Sequence, residues 1–335
     1  MQRTIRDASY NINSGDHTPR LLFPVRSCGL AILKLTKALT ECQDDPQPDP
    51  VRSLRRASRH LQAQFTLLHL LQDQLTPVCT NRIRKLLKRV GRAAGRVRDL
   101  DAQAVLVATH ASRELTANPD YHQMAIAKEA ARLSKRLSKR RNAEALKLIR
   151  VLKNKGEDLT KALRDADDAM QNFEDHSFTA EDLNIRIRKW LRAAVLRLYE
   201  PQGKFSPRPP RIGGKGTEHM DLLVVERLHG LRKVAKTARY MVEVLSSNAA
   251  GIKQLISELK TIQKSGGEWH DWLLLERIAA QHSSERTALA KQYAKNRDAA
   301  LADYVKILER QSWLQSAIRS RASGSRIEPK TVKAR

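Results

Sequence analysis

The chain of 335 residues carries 62 Lys and Arg against 36 Asp and Glu, a formal net charge of +26. With 41% hydrophobic residues it can still bury a sizeable core, in one large domain or two smaller ones, which excludes wholesale disorder. So large an excess of like charge works against a compact state unless a counter-charge is near, and the composition therefore points to a polyanionic partner: nucleic acid, an anionic membrane surface or a phosphate polymer.

Aromatic residues make up 4% of the chain, few for a protein that stacks single-stranded bases on its side chains. Cys28, Cys42 and Cys79 are widely spaced, odd in number and without a C-x-x-C pair, which fits small apolar residues in a reducing cytoplasm. The N-terminal MQRTIRDASYNINSGDHTPR has no apolar run after its arginines, so no secretory signal is expected. No stretch of about 18 apolar residues offers a membrane span. The expected setting is the cytoplasm.

In chain order, residues 1 to about 26 read as a polar, irregular extension. Strand signals are almost absent afterwards, whereas apolar residues recur at three and four residue spacings, so the fold class is all-α. CGLAILKLTKALTE is the first helix. DDPQPDP is a loop whose Asp49 and Pro50 cap a second helix from Val51, and Thr76 with Pro77 repeats that signal before a third. A fourth, long and very basic, spans about 121–173. Thr179 and Asp182 form a capping box that opens a fifth helix, IRIRKWLRAAVLRLYE. The Pro, Gly and Lys-rich PQGKFSPRPPRIGGKGT is a loop. Helices follow at about 218–247, 251–281 and 284–320, and from Arg321 the tail is basic and expected to be mobile.

The pattern repeats. Gly95-Arg96-Val97-Arg98-Asp99 corresponds to Gly267-Glu268-Trp269-His270-Asp271, each in the third helix of its half. Arg52, Arg55 and Arg59 correspond to His229, Arg232 and Lys236 in the second helix of each. Both signatures in the same order imply an internal duplication, with four-helix units at 27–176 and 177–320.

At about 100° per residue, His229, Arg232, Lys236 and Arg239 share one side of their helix, with Lys233 alongside. Leu228, Leu231, Ala235, Ala238, Val242 and Leu245 form an apolar stripe roughly 100° around the cylinder. Arg52, Arg55, Arg56 and Arg59 stand in the same relation to Leu54, Ala57, Leu61, Phe65 and Leu68. A merely solvated charge run sits opposite the apolar face. These cations border it, so they are expected to line a seam between the halves, where their mutual repulsion is relieved by an anion. Lys85, Arg89, Arg92 and Arg96 share one side of the third helix, and Lys128, Arg132, Lys135 and Lys139 one side of the fourth.

These residues resemble the CHAD domain, the conserved histidine α-helical domain. L-H-G-L-R-K-V-A-K-T-A-R-Y, Leu228 to Tyr240, is similar to the family's H-x-x-R-x-x-x-K-x-x-R-Y helix, and L-K-T-I-Q-K-S-G-G-E-W-H-D, Leu259 to Asp271, to its L-K-x-L-Q-x-x-L-G-x-x-H-D helix. The first half matches through V-R-S-L-R-R-A-S-R-H-L and G-R-V-R-D-L-D, and the likeness spans about residues 26–318. The resemblance implies two four-helix bundles related by a pseudo-twofold axis, with a basic central groove that binds inorganic polyphosphate, and residence in polyphosphate granules for some members. It makes Arg55, Arg59, Arg232, Lys236 and Arg239 phosphate ligands, His229 and His270 the namesake histidines, and Lys260 a further contact. Arg52 stands where the family has His and keeps a cation, whereas Gln62 stands opposite Arg239 and loses one.

Other chemistries fit less well. His229 and His270 form no HxxxH or HExxH pair, and the neighbouring Arg and Lys repel a metal cation, so no metal is expected. Asp99, Asp101 and Asp271 suit ion pairs with neighbouring cations better than an acid–base role, since phosphoryl transfer needs a carboxylate cluster around Mg²⁺. The sequence holds no E-x-E-x-K, so a triphosphate tunnel catalytic domain is not expected, and Gly213-Gly214-Lys215-Gly216-Thr217 fails the phosphate-loop spacing. That loop, with Arg208 and Arg211, is read as a linker within reach of bound polymer. The expected function is binding of inorganic polyphosphate without catalysis or cofactor. An RNA or DNA-binding module is the alternative, and a polyphosphate-cleaving enzyme the third reading.

Overall fold

The computed structural model describes residues 20–23, 25–71, 77–114, 120–171, 176–199, 222–243, 250–282 and 287–316. Eight helices dominate them, as the periodicity requires: α1 (Val25–Asp44), α2 (Pro48–Leu71), α3 (Pro77–Glu114), α4 (Tyr121–Gln171), α5 (Ala180–Leu198), α6 (Leu222–Val242), α7 (Ala250–His282) and α8 (Ala288–Glu309). The chain is helical again at 312–316 after a break in which the Gln311 amide donates to the Ile307 carbonyl at 3.0 Å. The fold class is all-α.

Local chemistry sets the helix starts. α2 begins at Pro48 instead of Val51, because both prolines of P-D-P fit a first turn whose N–H groups have no intrahelical acceptor. Thr179 caps α5 as its spacing implies: its hydroxyl oxygen accepts from the Asp182 backbone N–H at 3.1 Å, while the hydroxyl donates to the Asp182 carboxylate at 2.6 Å.

One feature departs from the sequence reading. Strand β1 (Arg20–Phe23), inside the extension expected to be irregular, pairs antiparallel with β2 (His176–Thr179), with Arg20 opposite Thr179. Each strand has four residues and finds its partner far along the chain, so neither leaves a local period to read.

α1 packs on α2 and α4, and α3 on α2 and α4; in the second run α5 packs on α6, α6 on α7 and α7 on α8. The principal contacts between the runs join α2 to α6, α3 to α7 and α4 to α8. Cys28, Leu35, Leu54, Leu61, Ile187, Val195, Ala238, Leu259 and Trp269 belong to one core that draws on both runs. A second core, around Leu137, Leu275 and Tyr293, joins α3, α4, α7 and α8. Cys42 is buried, and burial pushes its thiol up to about 12, as befits a small apolar residue. No described helix is long and apolar enough to cross a membrane.

Candidate anion-binding site

The apolar stripes lie where their periods put them: Leu54, Leu61, Phe65 and Leu68 on α2, and Leu231, Ala235, Ala238 and Val242 on α6, are buried. Because α2 and α6 pack on each other, the cations that flank these stripes face a common seam.

The glycine and aspartate of each G-x-apolar-basic-Asp signature explain how Arg55 and Arg232 are held. A Cβ on Gly95 would come within 2.9 Å of the Arg55 guanidinium, so any larger residue there requires the end of that side chain to shift from its place against α3. Arg55 Nη1 is then 3.6 Å from Asp99 Oδ1. Gly267 stands in the same relation to Arg232, at a looser 3.8 Å, and Asp271 and Asp99 both attract that guanidinium. Arg98 links the halves, lying 3.9 Å from both Asp99 and Asp271, and the His270 ring is 3.7 Å from Asp271. Asp101 pairs with Arg141 at 3.0 Å. All three aspartates that a hydrolytic reading could use are beside cations.

Around these pairs the seam is crowded with positive charge. Burial holds the Lys236 ammonium down at about 6, and the charges of Arg59, Arg55, Arg232 and Arg239 add to the effect. Burial pulls Arg55 down to about 10, with Arg59 adding and Asp99 opposing. Arg59 and Arg232 are also lowered, burial being the main cause for each. His229 is held neutral, its value lowered to about 3 by burial and by Lys233, His270, Arg232 and Arg59. Its ring stacks on that of His270 with centroids 4.7 Å apart.

Buried polar groups in folded proteins nearly always have partners. Among the described residues, Arg55 Nη1, Arg239 Nε and the Nδ1 atoms of His229 and His270 are buried without a hydrogen-bond partner. The seam is thus charged, partly desolvated and under-satisfied.

A groove of about 480 Å³ continues from it between α2 and α3. Arg55 and Arg59 form one wall, Arg84, Lys88 and Arg92 the other, and Ser58, Gln62 and Thr66 add uncharged polar groups. The expected cations therefore divide. The structure gathers Arg55, Arg59, His229, Arg232, Lys236, Arg239 and His270 at the seam and Arg92 in the groove. Arg52, Arg56 and Lys233 are exposed on the flanks of the two stripes. Lys260 is exposed on α7, its charge felt by Glu243. Lys85 and Arg89 are exposed and do not line the groove, and Arg96 pairs with Glu144 of α4. Lys128, Arg132, Lys135 and Lys139 form an exposed face on α4. The Gly213 loop with Arg208 and Arg211, the tail from Arg321, and Leu245 lie outside the described residues.

Sequence reasoning passed over Arg84, Lys88, Arg98 and Glu243. Lys88 had a signal: Leu87-Lys88 precedes Asp99 by the same interval as Leu259-Lys260 precedes Asp271. Arg98 occupies the motif position of His270. Arg84 and Glu243 belong to neither motif.

Among the described residues, Trp269 and Tyr240 do not offer a stacking platform at the seam. Trp269 is fully buried against Tyr304, and Tyr240 is buried beneath the Arg239 guanidinium, 4.5 Å from its ring centre. No group of three or more His, Cys, Asp or Glu that could hold a metal ion occurs among the described residues.

Comparison with known proteins fits this arrangement. The sequence matches the CHAD domain family across residues 30–280. PptA from Streptomyces chartreusis is similar in structure at a TM-score of 0.55 and 16% identity, over 88% of this chain and 96% of that one. The CHAD domain from the plant Ricinus communis is similar at a TM-score of 0.50 and 15% identity, over 88% and 89%. At such identities the two likenesses speak for the fold. No curated protein matches the sequence.

Proposed function

This chain belongs to the CHAD domain family, and on that premise we propose that it binds inorganic polyphosphate, without catalysis, in the α2–α6 seam and the adjoining α2–α3 groove. The observation that carries the reading is the convergence of Arg55, Arg59, Arg232, Lys236 and Arg239 in a partly desolvated seam that forces Lys236 down to about 6. An anion relieves this repulsion directly. Arginines offer forked donors to phosphate oxygens and lysines point charges. The line of cations continuing past the seam to Arg84, Lys88 and Arg92 supports a polymeric ligand. Successive weak contacts along a repeating chain then add up.

The buried state of Trp269 and Tyr240 favours phosphate polymer over single-stranded nucleic acid, whose bases need exposed rings. The cations beside Asp99, Asp101 and Asp271 favour a binding role over hydrolysis. Internal duplication of a four-helix unit, at 27–176 and 177–320 around a pseudo-twofold axis, belongs to the same reading. It is supported by cross contacts that join α2 to α6, α3 to α7 and α4 to α8, helices of equal rank. Residence in polyphosphate granules is the corresponding cellular expectation.

Calorimetric titration of the full chain with long-chain polyphosphate, repeated across a salt series with free phosphate assayed, tests the proposal. The expected result is binding whose log K falls linearly with log salt, because the cations displace condensed counterions, and no phosphate release. Absence of binding, or salt-independent binding, would overturn it, and released phosphate would place the enzyme reading first.

A further inference from the structure

Position by position, α2 and α6 differ most at one end of the seam. Arg55, Arg59, Gln62 and Thr66 on α2 correspond to Arg232, Lys236, Arg239 and Glu243 on α6. Where the first half has two uncharged residues that line an open groove, the second has an arginine and a carboxylate. Arg239 Nη1 lies 3.3 Å from Glu243 Oε1, and the His60 ring, from α2, lies 3.7 Å from Glu243 Oε2. The charge of Lys260 on α7 bears on the same carboxylate. Glu243 thus meets Arg239 of α6 and the His60 ring of α2 and lies within the field of Lys260 on α7, and its side chain is 27% exposed.

Helix stability alone accounts poorly for this carboxylate, whose i,i+4 pair with Arg239 runs in the weaker, cation-first order. It directly follows Val242, the last residue of α6, where the helix macrodipole disfavours negative charge. Burial would push its carboxyl up, yet contact with His60 and the charges of Arg239, His60 and Lys260 outweigh burial and hold it below the usual value. It is an anion placed against cations that otherwise face the seam.

We propose that Glu243 is a built-in competitor for the ligand: it occupies Arg239 as a phosphate oxygen would and closes the α6 end of the seam, so that the polymer path is open only toward the α2–α3 groove. This rests on the proposed polyphosphate binding and adds a residue that limits affinity. A bound phosphate must displace the carboxylate from Arg239 or stop short of it. Removing the negative charge therefore strengthens binding, the reverse of what a residue serving only the fold would do.

The test is titration of long-chain polyphosphate into wild type, Glu243→Gln and Glu243→Thr, the last copying Thr66, with far-UV circular dichroism on each. Both variants are expected to bind roughly two- to fivefold more tightly, the scale of one partly screened charge pair. The gain should shrink clearly in an Arg239→Gln background, where the principal partner of the carboxylate is gone and only the weaker influence of His60 and Lys260 remains. Unchanged or weaker binding by both variants with wild-type helicity would overturn the proposal. If wild type and all variants fail to bind polyphosphate, the functional reading itself falls.

Discussion

The second helix of the first half and that of the second half put the same kind of residue at the same positions and yet do different things. On α2, Arg55 and Arg59 are followed by Gln62 and Thr66, and the result is a groove with cations on both walls. On α6, Arg232 and Lys236 are followed by Arg239 and, just past the end of the helix, Glu243, and the extra cation is paired with that carboxylate. Arg59 corresponds to Lys236, and that exchange changes the chemistry: a guanidinium stays charged at neutral pH, whereas Lys236 gives up its proton near pH 6. α2 thus carries arginines at both positions, whereas α6 carries one lysine whose charge depends on its surroundings.

The largest effect that would break this comparison is loss of the α6 arm. The triple variant Arg232→Ala, Lys236→Ala, Arg239→Ala is expected to lose at least about 100-fold in polyphosphate affinity, since each charge-assisted contact contributes on the order of 1.5–3 kcal/mol. Titration with circular dichroism alongside checks this, and unchanged affinity would mean that the ligand lies elsewhere.

Next comes pH. Burial and the neighbouring arginines hold Lys236 down at about 6, against an ordinary ammonium value of 10.5. A bound anion raises that value, so binding takes up a proton, and affinity falls as pH rises above about 6, by at most about tenfold per unit for one linked proton. In the absence of ligand the sign for stability is opposite: between 6 and 10.5 the unfolded chain holds a proton that the folded chain lacks, so stability rises with pH across that window. Lys236→Arg, which copies Arg59, is expected to flatten the affinity profile, and a profile that stays as steep would exclude Lys236 as its source.

A smaller contrast separates the glycines. Gly95→Ala drives a methyl against the Arg55 guanidinium, 2.9 Å away, and is expected to weaken binding several-fold. Gly267→Ala meets Arg232 only at 3.8 Å, and should bind normally while gaining about 0.5–1 kcal/mol of helix stability. Equal behaviour in thermal unfolding and titration would erase the distinction. Smallest is the exposed flank: Lys85→Ala with Arg89→Ala is expected to change affinity less than about twofold near physiological salt, where distant surface charges are screened.

Much of the architecture was legible because helices announce themselves locally. Pro77, the Thr179 cap and the period of Leu54, Leu61, Phe65 and Leu68 each depend on neighbours within a turn or two. Strands β1 and β2 were not, since Arg20 and Thr179 find each other only through the tertiary fold. At the seam, the repeat singled out Arg55 and Arg232 together with the glycines and aspartates that hold them. On α3 the same logic reached its limit: Lys85, Arg89, Arg92 and Arg96 share a side, but the wall that faces α2 is offset around the helix and belongs to Arg84, Lys88 and Arg92. Periodicity tells which residues stand together, and packing decides which of the possible faces meets a neighbour.

A seam arranged for a phosphate polymer differs from one that is merely rich in charge in which polyanion it prefers. The direct test is competition for the full chain between long-chain polyphosphate and single-stranded RNA at equal anionic charge near physiological salt, with free phosphate followed in the same samples. The account expects polyphosphate to displace RNA without phosphate release. Equal competition, or preference for RNA, would contradict it and reduce the seam to a generic cationic surface.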